Sequence, residues 1–488
     1  LVIAAGPLPA LAPERERVVF AARSPLTGLW GDSLLSGPLG AALKGTGALA
    51  IVLGGRAAAW SVLLLDPHGI RLVPADALRG LTPAATEAAL TADLGSDYAI
   101  AAIGVGGEHE VAFASVGHAG RCAGRTGMGA VLGAQRLKAI AIRGEQAPAP
   151  HDAAALDAEL AQLRRRAAGE ATARYRERGT AYRLVELDAL AALPTRNFQR
   201  SRFAAARALY DATRAHGIAY EPLFAFGPLL AVTQPEGVLD LVRRCDELGL
   251  DAISAGGTLA FAMECAERGL LGGEWRSLAA LRFGDAARAL AILSDLASRA
   301  GEAGALLAAG SRAAATTLGG EALACAMQSK GLELPGYDPR RMRTLALGLA
   351  VGARGACHNR SSAYDVDLAP AGDRLTGDER VAIAVESEDR AALLDSLIVD
   401  RHLRRCFVEF YDEAALLLRA ATGWEGDGAA LRAAAAEIHA LRHAFNRRCG
   451  WTPGDDTLPD RLLTGEDGGL TRAELAEMVR RYHVARGM

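Results

Sequence analysis

The sequence predicts an α+β fold, with a β-rich portion over residues 1–148 followed by two mainly α-helical domains over 149–329 and 330–488. Three observations lead there. Glycine-punctuated, β-prone runs fill the first third; helical spacing takes over from Asp152; and Leu332-Glu333-Leu334-Pro335-Gly336-Tyr337-Asp338-Pro339 interrupts the helices just after Lys330.

In chain order, Ala48 to Gly54 and Trp60 to Leu65 read as strands, and Asp66-Pro67-His68-Gly69 as a hairpin turn that returns through Ile70 to Val73. Tyr98 to Gly104, Val111 to Val116 and Lys138 to Arg143 continue the β pattern. Ala153 to Arg176, Val238 to Glu247, Leu259 to Arg268 and Leu278 to Arg299 carry apolar residues at helical spacing. The alanines of Leu431 to Ile438 reflect helix propensity and close packing and point to no function. No fixed-period repeat of the solenoid kind occurs.

A chain of 488 residues exceeds the size at which one core usually stops growing, so two or three domains are expected. Half of the residues are hydrophobic, 23% are charged and the net charge is −3. That balance excludes a general attraction to nucleic acid or an anionic membrane, and leaves a globular protein that recognises its partners locally. Apolar stretches such as Ala48 to Leu53 are far too short for a membrane span, and no signal peptide opens the chain, so a cytoplasmic protein is expected. The seven cysteines, Cys122, Cys245, Cys265, Cys325, Cys357, Cys406 and Cys449, include no pair at two-residue spacing. They suit reduced thiols, most of them small core residues, better than a disulfide framework or a zinc site.

The chemistry centres on Gly120-Arg121-Cys122-Ala123-Gly124-Arg125-Thr126-Gly127-Met128-Gly129-Ala130-Val131-Leu132-Gly133, followed by Leu137 to Gly144. Glycines allow close backbone approach and arginines bind phosphates or carboxylates, a weak signal when alone. Its company is what counts. Ser24-Pro25-Leu26-Thr27-Gly28 precedes it. Leu193 to Phe198, Tyr220-Glu221-Pro222, Asp246 to Ser254, Leu332 to Arg340, Arg354-Gly355-Ala356-Cys357-His358, Asp395 to Asp400 and Asp456-Thr457-Leu458-Pro459 follow. Taken in this order along almost the whole chain, the segments resemble the aldehyde ferredoxin oxidoreductase family of tungstopterin enzymes.

The resemblance implies a tungsten or molybdenum bis-pterin cofactor, with magnesium as a candidate bridge between the pterin phosphates. Each pterin asks for carboxylate acceptors and each phosphate for arginine or backbone N–H groups. It makes Asp246 and Asp395, the first residues of two Asp-x-x-x-x-Asp segments, acceptors for the two pterins, with Arg17 and Arg125 near the phosphates. Gly37, Arg121, Cys122, Ala123, Gly124, Gly127, Arg196, Leu250, Asp251, Val399 and Asp400 are carried over as further cofactor-facing positions, and Arg360 stands where the family can carry lysine. Glu221 and His358 resemble the acid/base side chains beside the metal, and Tyr337 lies in a segment that approaches the cofactor.

The departures from the family are specific. Leu34-Leu35-Ser36-Gly37 stands where Asn-Ser-Gly-Gly is usual, which alters one cofactor-facing loop. Leu1 is not an initiator methionine and the family's opening segment is missing, so a trimmed start or a second polypeptide that completes the sheet is expected. The family's [4Fe-4S] cluster needs four soft thiolates. Three of them would lie between Phe198 and Tyr220, yet Gln199 to Ala219 contains no cysteine, and the fourth position is Asp400. A conventional cluster is therefore not expected, and electrons need another exit. The leading expectation is an aldehyde oxidoreductase without a cluster; the alternatives are a non-catalytic scaffold or complex subunit, and a non-redox hydratase in which the metal acts as a Lewis acid. Expected partners are a small aldehyde-like substrate and an electron-transfer or sheet-completing subunit, with a homodimer as a further possibility and neither nucleic acid nor membrane.

Overall fold

The computed structural model describes residues 1–8, 16–145, 149–361, 363–369 and 372–488. Its β-rich portion contains two sheets that share one core. In the first, β1 (Val2–Ala5), β2 (Arg17–Arg23), β3 (Trp30–Ser36) and β4 (Ala50–Val52) run antiparallel in the order β3-β2-β1-β4. The second contains β5 (Ser61–Asp66), β6 (Gly69–Pro74), β7 (Ala99–Ile103), β8 (Val116–His118), β9 (Arg121–Ala123) and β10 (Leu137–Ile142), in the order β6-β5-β10-β7-β8-β9. Only the β5–β10 pair is parallel. Ile3, Val18, Phe20 and Leu35 of the first sheet pack with Leu63, Ile103, Ile140 and Ile142 of the second. A fully buried side chain of this kind contributes about 1.5–3 kcal/mol. Alternate residues of the second sheet, Val62, Leu64, Ile100 and Ala141, share a core with Leu90 of the helix Pro83–Leu94.

The expected hairpin is present: Asp66 pairs with Gly69 across Pro67-His68, and the Asp66 carboxylate accepts the His68 N–H at 2.8 Å. Val111 to Val116 is a correction, since only Val116 enters a strand. Its apolar residues are buried by the helical half instead. Ala112 N–H donates to Ala308 O at 2.9 Å, Asp251 N–H to Phe113 O at 2.9 Å and Ser115 N–H to Gly249 O at 2.8 Å. The pattern of a buried strand thus arises from a turn, closed by Ala114 N–H on Val111 O at 2.8 Å, that is sandwiched between the two halves.

The single helix expected over Ala153 to Arg176 breaks at Gly169 into Ala153–Ala168 and Glu170–Arg178. The one expected from Leu278 begins only at Ala286, behind Gly284 at φ 90° and the Asp285 cap, whose carboxylate accepts Arg288 N–H at 2.9 Å. Helix Pro235–Leu248 falls where helical spacing places it, whereas the helix expected over Leu259 to Arg268 already begins at Ala252, capped by Asp251, and ends at Glu267. A large buried cluster runs through the helical portion from Leu184 through Phe224, Phe261 and Leu345 to Tyr482. A second joins Leu156, Leu160 and Leu163 to Leu394, Phe410 and Leu417. Among the described residues no helix is long and apolar enough to cross a membrane.

Candidate functional site

The two Asp-x-x-x-x-Asp segments have the same backbone build. Asp246 lies in the last turn of Pro235–Leu248 and Asp395 in the last turn of the helix Gly377–Ser396. Leu250 N–H closes back on Cys245 O at 3.1 Å, as Val399 N–H does on Leu394 O at 2.8 Å, and the residue between takes positive φ in each case, Gly249 at 69° and Ile398 at 62°. The second aspartate then caps the next helix: Asp251 accepts Ser254 N–H at 3.0 Å, and Asp400 accepts His402 N–H at 2.8 Å. A β-branched residue rarely adopts the left-handed region. Ile398 is held there while packing on Gly6, where an added Cβ would lie 2.1 Å from the isoleucine.

Electrostatically the two motifs differ. Among the described residues no donor reaches the Asp246 carboxylate, and burial alone pushes its pKa up to about 6. Asp395 is already saturated. Its oxygens accept from Arg401 at 2.5 and 3.1 Å and from Arg360, and although burial opposes ionisation, these arginines hold it below the usual carboxylate range. Arg360 also reaches Asp32 of β3, which accepts from Arg354 at 2.9 Å and faces Arg442 at 3.5 Å. Four buried guanidiniums, Arg354, Arg360, Arg401 and Arg442, thus surround two carboxylates. Arg354 Nε and Arg401 Nη1 have no partner, so this wall keeps net positive charge and spare donors for an anion. Asp32, Arg354, Arg401 and Arg442 escaped the sequence reading as site residues. Arg354 stood inside a quoted motif, whereas Asp32 and Arg442 offered no local signal.

The glycine-rich turn faces the first motif. Arg125 lies 3.6 Å from Asp251 and donates to Glu333 O at 2.9 Å and Ala356 O at 2.5 Å, while its Nη1 has no hydrogen-bond partner. A Cβ on Gly124 would lie 2.7 Å from Asp251 Oδ1, and one on Gly127, at φ 79°, 2.1 Å from Ala112 O. Ala123 is buried, Leu250 bridges to Ala114, and Arg121 and Cys122 are exposed. Cys122 is exposed at the surface, yet the protein packed around it, then Asp246 and Asp251, push its thiol up to about 12. Arg17 joins the second motif, donating to Asp400 at 2.9 Å and to Ser36 at 3.2 Å. Gly37 lies against His118, 2.6 Å from where its own Cβ would be. Arg196 is engaged elsewhere, by Glu267 at 2.6 Å and over the Phe283 ring.

Glu221, His358 and Tyr337 do come together. Glu221 is the second residue of the helix Tyr220–Phe226, whose Phe224 and Phe226 anchor it in the core. Its Oε2 accepts Gly336 N–H at 3.1 Å; its Oε1 lies 3.5 Å from His358 Nε2 and has no hydrogen-bond partner. Burial, opposed by the Gly336 N–H and Arg125, raises Glu221 to about 8. Burial and then Arg125 and Arg401 drive His358 well below the usual histidine range, so the imidazole is neutral at neutral pH. Tyr337 covers the pair, 5.2 Å from the His358 ring and 5.1 Å from Tyr364. Behind His358, burial disfavours a thiolate at Cys357, but Arg354, 2.7 Å away, with Arg360 and Arg125 brings that thiol down to about 7.

Gly336 sets this geometry, because the Tyr220 hydroxyl donates to its carbonyl and an added Cβ would meet Phe224 Cγ and Tyr220 Oη at 2.6 Å. Gly336→Ala is expected to cost about 1–3 kcal/mol by overpacking and to displace the N–H on Glu221. Thermal denaturation measures the first effect, and titration of Glu221 measures the second as an upward shift.

Fold and site define a protein in which two helix-end motifs of the same backbone build, a glycine-rich turn and a net-cationic arginine cluster accompany the closely placed Glu221 and His358 side chains. The chain belongs to the aldehyde ferredoxin oxidoreductase family. The family's N-terminal-domain model matches residues 1–144, and its model of domains 2 and 3 matches residues 206–488. The tungsten-containing aldehyde ferredoxin oxidoreductase of Pyrococcus furiosus is 31% identical over 535 aligned residues, covering all of this chain and 87% of the relative. That of Thermococcus kodakarensis is 30% identical with the same coverage. Among solved structures, the active-site complex BamBC of benzoyl coenzyme A reductase with 1,5-dienoyl-CoA superimposes with a TM-score of 0.86, covering all of this chain and 86% of that chain. At 19% identity it shows the shared fold alone.

Proposed function

We propose that the chain is a tungsten- or molybdenum-bis-pterin oxidoreductase that converts an aldehyde or related small carbonyl compound to the acid, without a [4Fe-4S] cluster of its own. The observation that carries this reading is the buried Glu221–His358 pair, 3.5 Å apart, with an unpartnered carboxylate oxygen. The surrounding residues fit an anionic bis-pterin. Asp246 offers an open acceptor, Arg125, Arg354 and Arg401 retain unmade donor bonds, and Gly124 and Gly127 leave no room for a side chain beside them. Bound there, the cofactor would supply the metal centre that accepts two electrons.

The protein's own part is to move protons. Conversion of R–CHO and water to R–COOH releases two protons with the two electrons. Ionised Glu221 takes a proton at its free Oε1, and neutral His358 Nε2, within reach, passes it on. Tyr337 packs beside the pair and limits water access. At the position of the family's fourth cysteine stands the Asp400 carboxylate, a hard oxygen donor in place of a soft thiolate, and it is already engaged by Arg17 and His402. Electrons then pass to an external acceptor or a partner subunit.

Element analysis tests the cofactor. Protein produced with tungstate and molybdate available is expected to contain one of these metals with two pterins and no stoichiometric iron, and to reduce a redox dye when given aldehydes. Protein with neither metal would sink the proposal, and metal-loaded protein that hydrates a substrate without reducing the dye would favour the non-redox alternative.

A further inference from the structure

The arginine cluster also borders a cavity of its own. Arg354, Arg360 and Arg442 line a space of about 20 Å³ that neither Asp395 nor Asp400 reaches, together with His439 and His443 of the helix Gly428–Arg448. The two histidines stand one turn apart and continue the buried stripe of Leu431 and Ala435, so the helix exchanges apolar for imidazole side chains as it passes the cluster. Both are buried. Three nitrogens of these side chains, Arg354 Nε, His439 Nε2 and His443 Nδ1, are buried without a hydrogen-bond partner among the described residues. Asp389 comes within 3.5 Å of His439 Nε2 but does not bond it.

We propose that this cavity binds one small monovalent anion of the halide class, held by Arg354, His439 and His443. Size and charge select the ligand. A single water-sized group needs about 10–15 Å³, so the cavity takes one such group and excludes a phosphate or a carboxylate. The cluster sets four guanidiniums against Asp32 and Asp395, which leaves positive charge over. Glu388, the other carboxylate at the cavity, is already matched by Arg486 at 3.0 Å and by the Tyr482 hydroxyl. A cation would meet guanidinium N–H groups, which have no lone pair to offer it.

The histidines add donors without adding charge. Burial, then Arg486 and Arg442, bring His439 down to about 3 against Asp389, and burial brings His443 down to about 4 against Glu388 and Asp456. Both rings are therefore neutral at neutral pH, and each can carry its proton on the free nitrogen. With Arg354 they then present three N–H groups, more than the two lone pairs of a water oxygen accept, whereas a spherical anion accepts them all.

This use takes Arg354 Nε from the open donors counted for the cofactor and leaves those of Arg125 and Arg401 to it. Arg354 also links the cavity to the acid/base pair, because its Nη2 lies 2.7 Å from the sulfur of Cys357, the residue before His358. An anion that offsets the surplus charge here stabilises the folded chain and steadies that segment.

Thermal denaturation of the whole protein, with gluconate exchanged for bromide at constant ionic strength, tests this. It needs neither metal nor turnover, so its outcome is independent of the function proposed above. The melting temperature is expected to rise by several degrees and to saturate in the millimolar range. Crystals grown in bromide should show an anomalous peak in the cavity beside Arg354 Nε. His443→Leu, which removes one donor outside the acid/base pair and the aspartate motifs, should raise the half-saturating bromide concentration at least about tenfold. The wild-type anomalous map decides even where that variant fails to fold. Equal melting temperatures in bromide and gluconate overturn the proposal, as do bromide peaks confined to the surface. Stabilisation by pyrophosphate but not by bromide would assign the open donors to the cofactor's phosphates and likewise overturn it.

Discussion

Glu221→Gln is expected to lower aldehyde turnover by about 10²–10⁴-fold, the usual worth of a positioned acid/base group, while metal and pterin content stay unchanged. The substitution keeps an acceptor for Gly336 N–H and nearly the same volume, so it removes the proton-accepting function with little else. In the unsubstituted protein the rate should rise with pH through about 8, because the base is the ionised carboxylate and burial has moved its ionisation there. Glu221→Gln should lose that rising limb. Equal rates in the two proteins at pH 9 would remove Glu221 from the mechanism.

A second readout separates titration from catalysis. The folded protein raises the Glu221 pKa from 4.5 to about 8, so it binds this proton more tightly than the unfolded chain does. The resulting stabilisation is complete below pH 4.5 and is lost as pH rises through about 8. By pH 9 the buried carboxylate costs on the order of 4 kcal/mol. Glu221→Gln should therefore gain stability over wild type at pH 9 and be close to it at pH 5, measured by denaturant unfolding of cofactor-free protein.

The sequence revealed the fold wherever burial matched a simple period. The β5–β6 hairpin and the helix Pro235–Leu248 read directly because their apolar residues face one core, whereas only the second half of Ala252–Glu267 read as helix, because it is buried on nearly every side. Strand β3 did not. Its Trp30-Gly31-Asp32-Ser33 stretch buries polar groups for the arginine cluster, which erases the alternation a strand would show. Val111 to Ser115 misled in the opposite direction, being apolar because the β-rich and helical portions enclose it. At the site, resemblance singled out Glu221 and His358, whose side chains lie 3.5 Å apart, and both aspartate motifs, which share one backbone build. It could not reveal that Asp395 is neutralised by Arg401 or that Asp32 organises three arginines, since those partners lie up to 410 residues apart in the chain.

That clustering yields the largest stability effect expected. Asp32→Asn removes the carboxylate that Arg354 and Arg360 bond and Arg442 faces, and leaves Asp395, already bonded by Arg360 and Arg401, as the remaining carboxylate of the four-arginine cluster. Breaking a buried ion pair from one side typically costs about 3–5 kcal/mol, and here three cations share one partner. Burial alone would raise the Asp32 pKa, but Arg360, Arg354 and Arg442 hold it far below the usual range, so its contribution is present above about pH 4 and lost only in strong acid. The cofactor-free Asp32→Asn protein should unfold at markedly lower denaturant concentration at pH 7, and the deficit should shrink as the pH falls. If the cleft is built for phosphates, millimolar inorganic pyrophosphate should restore more stability to Asp32→Asn than to the wild type, because the anion replaces the missing charge. Equal stabilisation of both proteins would mean that the Asp32 cluster is a structural ion network with no role in anion binding.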